Sequence, residues 1–463
     1  MSPSPATSGR RRPPVKWRLA SIVVSGLAGL LVLGGVGAVA ASSAGWLFAS
    51  PLDQVTPSTY LDPPPTADPP AAGLGAVPTG PLPDPASLKA AIDAVDRAGV
   101  GTIALTVIGA DGTSLVDEGA ATAMMPASSN KVLTCLTALS YLGADHTFTT
   151  KVVDTGSGIV LVGGGDPYLA NTAGFSPAQA SAVTLAAQTA AALKAQGRTS
   201  VGLGYDDSLF SGPDFHPSWP ADYSTEVTRV TALSIDQGFV AGQRNAAPAL
   251  AAASTFAGLL GQQGITVTSV AAMTAPAGAA QLAAVDSMPL ALIVHQILQV
   301  SDNSAAEVVF RQIGLAAGLT GSFADAAKAE QTKLAGWGLW SDSMTILDGS
   351  GLSHGDQVTP AALAGAIRQA AATPELSDVI VGLPVAYSSG TLVNRFNEPG
   401  AEAGRGVVRG KTGSLTGVRS LTGYTQTAAG GVVMFALMVE NYSDAAAVWR
   451  WMDQVAAALT TAT

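Results

Sequence analysis

The spacing of apolar positions predicts that the folded part of the chain begins near residue 87 with a short helix. Three apolar residues lie at helical spacing before Gly99, which ends the pattern: Leu88, Ile92 and Val95. Two apolar runs, at 102–107 and 114–116, then flank Asp111-Gly112, a pair that favours a hairpin turn. The pattern therefore predicts a helix followed by an antiparallel hairpin.

Longer apolar patterns predict the later elements of the fold. A turn at 126–127 leads into an apolar helix that ends near Leu142, and a continuous apolar run at 289–300 predicts a buried helix. A helix at 445–459 has one apolar face with which to pack on a sheet. Three segments are typical of the successive antiparallel strands of that sheet: 406–409, 418–425 and 432–439.

The first candidate catalytic motif lies at the start of the helix predicted after residue 127. Ser128 opens that helix and Lys131 follows three residues later, so both side chains lie on one helix face. A hydroxyl becomes a good nucleophile when a base takes its proton, and Lys131 is such a base only when it is neutral. A dry pocket and the positive charge of Lys411 would lower its pKa. Alternatively, Ser128 only caps the helix and Lys131 is solvated.

The second motif, Ser301-Asp302-Asn303, lies between the apolar run at 289–300 and the start of another helix at 305–310. Polar side chains on such a connection can point into a cleft. Ser301 would relay a proton to the leaving amine, and Asn303 would hold Lys131 and the substrate amide. Asp302 would cap the next helix. Alternatively, all three residues are no more than a helix cap.

The third motif, Lys411-Thr412-Gly413-Ser414, precedes the strand predicted at 418–425. The small residue Gly413 would let a substrate lie against the strand edge and bind through its backbone. The backbone N–H groups of Ser128 and Ser414 would form the oxyanion hole. Lys411, with the hydroxyls of Thr412 and Ser414, suits a substrate that ends in a free carboxylate.

Each motif alone is weak, but their order along the chain is that of the penicillin-recognising serine acyltransferases. From about residue 88 to 452 the chain resembles the D-alanyl-D-alanine carboxypeptidases with endopeptidase activity, the class C low-molecular-mass penicillin-binding proteins. The similarity extends to five further blocks: 161–167, 232–236, 348–353, 383–386 and 390–392.

This resemblance implies an α/β (α+β) fold of the penicillin-binding and β-lactamase type. Its parts would be an antiparallel sheet flanked by helices, an all-helical subdomain and an inserted mixed α/β domain. The long separation of Ser128 from Ser301 leaves more chain than the helical subdomain needs. We therefore expect the inserted domain at 150–285, between the two parts of the catalytic domain at 87–149 and 286–460.

The chain departs from the family at His354, where members that accept diaminopimelate-containing stems often carry arginine. The segment that contains Trp219 and Asp222 resembles the family's pocket for that side chain. By this resemblance, Trp219 would pack on the aliphatic stem and Asp222 would pair with the distal ammonium. Alternatively, both residues only anchor a loop.

A rival hypothesis starts from residues 351–355, which fit the Gly-x-Ser-x-Gly elbow of the α/β-hydrolases. That fold needs an acid and then a histidine after the serine, and no histidine follows the elbow's own His354. The segment before Ser353 is also too polar for a buried strand. Chain order therefore argues against this hypothesis.

Composition limits the classes of function. The 463-residue chain is 48% hydrophobic and 12% charged, with a net charge of −10, which argues against a nucleic-acid partner. Cys135 is the sole cysteine, so no internal disulfide can form, and we expect a core thiol. No cluster has the spacing of metal ligands and no glycine-rich loop indicates a nucleotide. The sequence thus predicts no metal and no cofactor.

The N-terminus predicts export from the cytoplasm. A basic segment at 1–18 precedes an apolar run at 19–41, which is long enough to span a bilayer as an anchor or to serve as a signal sequence. A proline-rich stretch at 42–86 would be an extended linker that holds the enzyme near the wall. We therefore expect an extracytoplasmic protein of the cell envelope.

Together, these observations predict a serine D-alanyl-D-alanine carboxypeptidase that trims peptidoglycan stem peptides through an acyl-enzyme on Ser128. By family resemblance, it would also act as a DD-endopeptidase and bind β-lactams covalently. A β-lactamase or related serine esterase and a catalytically silent wall-associated scaffold are the alternatives.

Overall fold

The computed structural model of the protein describes residues 80–172 and 179–463. The predicted basic tail at 1–18 and the apolar segment at 19–41 lie outside the described residues, as does most of the linker at 42–86. Among the residues that are described, no helix has the length and apolar character needed to cross a membrane.

The described residues form twelve strands and ten α-helices. The strands are β1 Thr102–Gly109, β2 Ser114–Glu118, β3 Thr149–Asp154, β4 Gly158–Val162, β5 Ser200–Asp206, β6 Phe239–Val240, β7 Gln243–Arg244, β8 Thr266–Ala272, β9 Ala280–Asp286, β10 Arg409–Leu415, β11 Val418–Gln426 and β12 Val432–Glu440. The helices are α1 Pro85–Asp93, α2 Asn130–Leu142, α3 Ala182–Ala195, α4 Pro248–Gln262, α5 Leu290–Val300, α6 Asn303–Ala316, α7 Phe323–Gly336, α8 Pro360–Ala372, α9 Asp378–Gly382 and α10 Ala445–Thr461. The predicted first helix, hairpin, buried helix and C-terminal helix are confirmed, as are the strands predicted at 418–425 and 432–439. The strand predicted at 406–409 is wrong: residues 405–407 form a turn in which Gly406 has φ 72°, and β10 begins only at Arg409.

The first sheet is antiparallel, with its strands in the order β10-β11-β12-β1-β2. Its third strand in this order, β12, is buried on both faces, so its side chains alternate between two apolar cores. One core also contains α1 and α10, and it takes Val433, Phe435, Leu437 and Val439. The other contains α2, α5, α6 and α8, and it takes Val432, Met434, Ala436 and Met438. Burying each of these side chains, apart from that of Ala436, stabilises the fold by about 1.5–3 kcal/mol.

The helical part is built around α2, in which residues 130–139 are all buried. A helix that is buried all round lies in a core rather than on a surface, and α2 contacts α5, α6, α7 and α8. Cys135 is fully buried in this core, as predicted. The polar residues of motif 1 at its N-terminus are therefore held by a rigid element.

The second sheet has the strand order β8-β5-β4-β3-β9, and its strands all lie between Thr149 and Asp286. Strands β4, β5 and β8 run parallel, whereas β3 is antiparallel to both of its neighbours. Helices α3 and α4 share an apolar core with this sheet. The same stretch of chain contains the small hairpin of β6 and β7.

Candidate active site

Ser128 lies in a tight 3-10 turn, Ala127–Ser129, that leads directly into α2. Its neighbours Ala127 and Ser129 are buried, whereas Ser128 is half-buried and reaches the surface. Ala127 has a left-handed backbone (φ 47°), a conformation that costs a non-glycine residue about 1–2 kcal/mol. The fold therefore holds the predicted nucleophile in a strained turn at the start of a buried helix.

Lys131 is fully buried and its amine contacts three oxygens. Its Nζ lies 2.8 Å from Oγ of Ser128, 2.7 Å from Oδ1 of Asn303 and 2.9 Å from the carbonyl oxygen of Ser350. Burial lowers the pKa of Lys131 from 10.5 to about 8, although the carboxylates of Glu307, Asp348 and Asp302 oppose the shift. The predicted dry pocket is thus the main cause of the shift, and the charge of Lys411 is not among its main causes.

Ser301 and Lys411 form a second contact between a serine hydroxyl and a lysine amine. Ser301 ends α5 in a left-handed conformation, with φ 59° and ψ 41°. The Lys411 amine, itself fully buried, donates to Oγ of Ser301 at 2.7 Å and to the Thr412 carbonyl at 2.8 Å. The adjacent Asp302 caps α6 by accepting from the Ala305 N–H at 3.0 Å, as predicted.

The side-chain amide of Asn303, on α6, bonds both to Lys131 and to the backbone of Glu226. Its Oδ1 accepts from Lys131, and its Nδ2 donates to the Glu226 carbonyl at 3.1 Å. The guanidinium of Arg244, on β7, donates to that same carbonyl at 3.1 Å and to Oγ of Ser304 at 2.9 Å. Arg244 therefore fixes the segment that orients the Asn303 side chain.

Motif 3 lies on β10, an edge strand of the first sheet. Ser414 is exposed, and the hydroxyl of Thr412 donates to the hydroxyl of Thr391 at 2.8 Å. An added Cβ at Gly413 would lie 2.1 Å from Oγ of Ser420 and 2.7 Å from the Pro126 carbonyl. Gly413 was predicted to make room for a substrate at the strand edge. In the structure a side chain at this position would point inward instead, and its absence lets β10 approach the turn that carries Ser128.

Among the described residues, Trp219 and Asp222 form no hydrogen bond with the side chains of the three motifs. Trp219 is 5% exposed, and its Nε1 donates to Oδ2 of Asp348 at 2.6 Å. Such a placement fits an anchor of the loop better than a wall that packs on a substrate side chain. Asp222 is exposed, and near it Tyr223 hydrogen-bonds Nε2 of His354 at 2.9 Å. The role predicted for Asp222 stays a prediction.

Sequence reasoning missed the part played by the turn at 348–350 and by Glu307. The block 348–353 was singled out only as a family resemblance, yet its Ser350 carbonyl binds Lys131. Glu307 follows Asn303 by one helical turn and is fully buried, which its spacing within α6 could have indicated. In the same block, Ser353 is fully buried and its Oγ lies 2.8 Å from that of Ser218, an unsuitable placement for a hydrolase nucleophile.

Taken together, the fold and the arrangement of the three motifs are typical of the serine peptidases of the penicillin-binding class. Residues 86–247 and 240–462 match the model of the D-Ala-D-Ala carboxypeptidase 3 (S13) family. The chain therefore belongs to this family.

Similar proteins agree with that assignment. The chain is 33% identical over 446 residues to carboxypeptidase DacB of Mycolicibacterium smegmatis, which covers 92% of this chain and 95% of that protein. It is 28% identical over 433 residues to the D-alanyl-D-alanine carboxypeptidase of Actinomadura sp. (strain R39), with 73% and 78% covered. Penicillin-binding protein 4 of Haemophilus influenzae has the same fold, with a TM-score of 0.67 and 20% identity over 80% of this chain and 97% of that one. The predicted family, fold class and serine-type D-Ala-D-Ala carboxypeptidase activity are confirmed.

Proposed function

We propose that the protein trims peptidoglycan stem peptides through an acyl-enzyme on Ser128, cleaves D-alanyl cross-links as well, and is acylated by β-lactams. The observation that carries this proposal is the contact of one buried amine, on Lys131, with the half-buried hydroxyl of Ser128 at 2.8 Å. A second buried amine, on Lys411, contacts the Ser301 hydroxyl at 2.7 Å. Each of the two serine hydroxyls thus lies within hydrogen-bonding distance of a different lysine amine.

In the first step, Oγ of Ser128 attacks the carbonyl carbon of the penultimate D-alanine. Neutral Lys131 takes the hydroxyl proton as the C–O bond forms, and the negative charge moves to the carbonyl oxygen. The backbone N–H groups of Ser128 and Ser414 serve as the oxyanion hole. Losing one such donor typically costs on the order of 100- to 1,000-fold in rate.

In the second step, the C–N bond breaks and the terminal D-alanine leaves as an amine. The proton that Lys131 took from Ser128 passes to that nitrogen through the Ser301 hydroxyl, so Lys131 is neutral again and Lys411 keeps its charge. Water then attacks the ester carbonyl while Lys131 takes a proton from it. Lys131 returns that proton to Oγ of Ser128 as the ester C–O bond breaks, which restores the free enzyme. A D-alanyl cross-link is cleaved by the same steps, because its amide nitrogen differs only in the chain it carries.

Lys411, Thr412 and Ser414 recognise the substrate's terminal carboxylate. Lys411 supplies a positive charge, and the exposed Ser414 hydroxyl can donate a hydrogen bond. The Thr412 hydroxyl, which donates to Thr391 in the free enzyme, would turn to donate to the carboxylate. The exposed edge of β10 lets an extended peptide bind through its backbone, in the manner of an added strand. Asp222 would pair with a distal ammonium on the third residue of the stem, while Trp219 anchors its loop.

The segments around the catalytic part complete the proposal. Residues 150–285, which contain all but the two outermost residues of the second sheet, form an inserted domain between catalytic parts at 87–149 and 286–460. The enzyme acts outside the cytoplasm, held by the apolar segment at 19–41 and spaced from the membrane by the linker at 42–86. Membrane fractionation of the full chain and of a chain lacking 19–41 tests the anchor, which would be refuted by equal recovery in the soluble fraction.

Fluorescent penicillin provides the direct test of the nucleophile. We expect a stable covalent label on the full chain and none on Ser128→Ala. The matched control is Ser353→Ala, which removes the serine of the hydrolase-like elbow and should keep the label. A label that survives in Ser128→Ala would contradict the proposal, and rapid loss of the wild-type label would favour the β-lactamase alternative.

Stem pentapeptides and cross-linked dimers, analysed by mass spectrometry, test the reaction itself. Release of D-alanine from the pentapeptide supports the carboxypeptidase, and conversion of the dimer to monomers supports the endopeptidase. If neither product forms while penicillin still labels the protein, the scaffold alternative gains over the enzyme.

A further inference from the structure

The turn at 348–350 presents three successive backbone carbonyls to α2. The Asp348 carbonyl accepts from Nδ2 of Asn130 at 2.8 Å, and the Gly349 carbonyl accepts from the Thr134 hydroxyl at 2.8 Å. The Ser350 carbonyl accepts from Nζ of Lys131 at 2.9 Å. The turn therefore binds the helix that carries motif 1 at three points, and one of them is the base of the proposed mechanism.

Glu307 holds the other side of the same turn. Its carboxyl oxygens accept from the Gly349 N–H at 3.1 Å and from the Ser350 N–H at 2.7 Å. An added Cβ at Gly349 would lie 2.4 Å from Cβ of Phe310, so the turn lies directly against α6. Glu307 is fully buried and is one helical turn beyond Asn303.

The direction of the Lys131 lone pair follows from these contacts. A neutral amine has two N–H donors and one lone pair. Two neighbours of Nζ, the Ser350 carbonyl and Oδ1 of Asn303, can only accept hydrogen bonds, so they take the two N–H groups. The lone pair is then left for the third neighbour, the hydroxyl proton of Ser128.

Building on the function proposed above, we infer that Glu307 is a positioning residue for Lys131. It fixes the Ser350 carbonyl through two backbone amides, and that carbonyl helps to aim the Lys131 lone pair at Ser128. Glu307 touches neither substrate nor the reacting atoms, so its effect is exerted through the turn and through its charge. A glutamine reproduces this arrangement poorly, since it has one acceptor oxygen where Glu307 uses two, one for each amide.

The charged surroundings of Glu307 set the expected pH response. The groups that face it or the turn are Lys131, Asp302, Arg311, Glu330, Asp348 and Asp356. Burial, followed by the charge of Asp348, raises the pKa of Glu307 to about 8, although the amides of Gly349 and Ser350 favour its carboxylate. The Glu307 charge favours protonated Lys131, so its removal should lower the pKa of Lys131.

The test compares Glu307→Gln with Asp206→Asn in the full chain, using the acylation rate with fluorescent penicillin from pH 6 to 10. Glutamine at 307 can accept from only one of the two amides. We expect its acylation rate constant to fall on the order of 10- to 100-fold, with penicillin's initial dissociation constant changed less than threefold. The acidic limb of its pH profile should also move to lower pH.

Asp206 is the matched control because it is a buried carboxyl on β5 whose two oxygens also bind two backbone amides. Its oxygens accept from the Ser208 N–H at 2.9 Å and from the Ala275 N–H at 2.7 Å, the same arrangement as at Glu307 but in the second sheet. Asp206→Asn should acylate within twofold of wild type. The inference would be overturned if Glu307→Gln kept the wild-type acylation rate and the acidic limb of its pH profile did not move. Equal losses of acylation rate in the two variants would also overturn it.

A second variant keeps the inference testable if Glu307→Gln does not fold. Thr134→Val preserves shape and removes the bond to the Gly349 carbonyl, so it loosens the same turn from α2. It should slow acylation on the order of 3- to 10-fold, and a wild-type rate would count against the inference. Absence of label on the wild-type chain would instead refute the proposed function, which separates the two failures.

Discussion

Gly413 and Ser420 are paired across β10 and β11, and a Cβ at position 413 would lie 2.1 Å from Oγ of Ser420. That hydroxyl is not free to move away, because it donates to the Pro126 carbonyl at 2.6 Å and lies 2.8 Å from Oγ of Ser129. The pair therefore joins the strand of motif 3 to the turn that carries the proposed nucleophile.

Gly413→Ala should consequently destabilise the fold and misplace Ser128. We expect a loss of about 1–3 kcal/mol in the free energy of unfolding, together with slower acylation by fluorescent penicillin. Gly258→Ala is the matched control, since a Cβ at this position in α4 meets nothing within 4 Å. It should stabilise the protein by about 0.5–1 kcal/mol. Equal unfolding midpoints for the two variants would show that the close approach is unimportant.

The acylation rate should rise with pH through about 8. The proposed base is neutral Lys131, whose pKa burial lowers to about 8, so the reactive fraction grows as pH passes that value. Lys131→Arg should lower the rate on the order of 100- to 10,000-fold at pH 8, because arginine stays charged. Rate constants measured from pH 6 to 10 check both points. A flat profile would be incompatible with a titrating base.

Arg244 should affect catalysis through Asn303. Its guanidinium and the Asn303 amide bind the same Glu226 carbonyl, so Arg244→Ala frees the segment that orients Asn303. We expect roughly tenfold slower acylation, with partial recovery in Arg244→Lys. Arg229→Ala removes an exposed ion pair with Asp214 and serves as the control, which should keep the wild-type rate. Comparable rates for Arg244→Ala and Arg229→Ala would contradict this link.

The ion pair of Arg395 with Asp453 should matter for stability rather than for catalysis. The two side chains are 7% and 3% exposed, and Asp453 also accepts from the Phe396 N–H at 2.9 Å. Asp453→Asn leaves the arginine charge buried and unpaired, at a cost of about 3–5 kcal/mol in the free energy of unfolding. Asp93→Asn, in an exposed pair with Lys89, should change it by less than about 1 kcal/mol. Denaturant titration of both variants measures the difference.

Much of the local structure could be predicted from the chain alone. Apolar periodicity located α5 and the strands β11 and β12, since each pattern depends only on residues a few positions apart. The same holds for the Asp302 cap, because its acceptor and donor are three residues apart. The order of the three motifs was also readable, and with it the family.

The convergence of distant residues depended on tertiary packing. Glu307, Ser350 and Lys131 are far apart in the chain, and no spacing rule connects them, yet the turn at 348–350 places them in one network. Packing also decided why position 413 is glycine and why Trp219 is buried. The sequence by itself determined which groups carry the chemistry and which elements hold them. The tertiary structure decided how the base is aimed and how its pKa is lowered, because orientation and burial arise only where separate segments pack together.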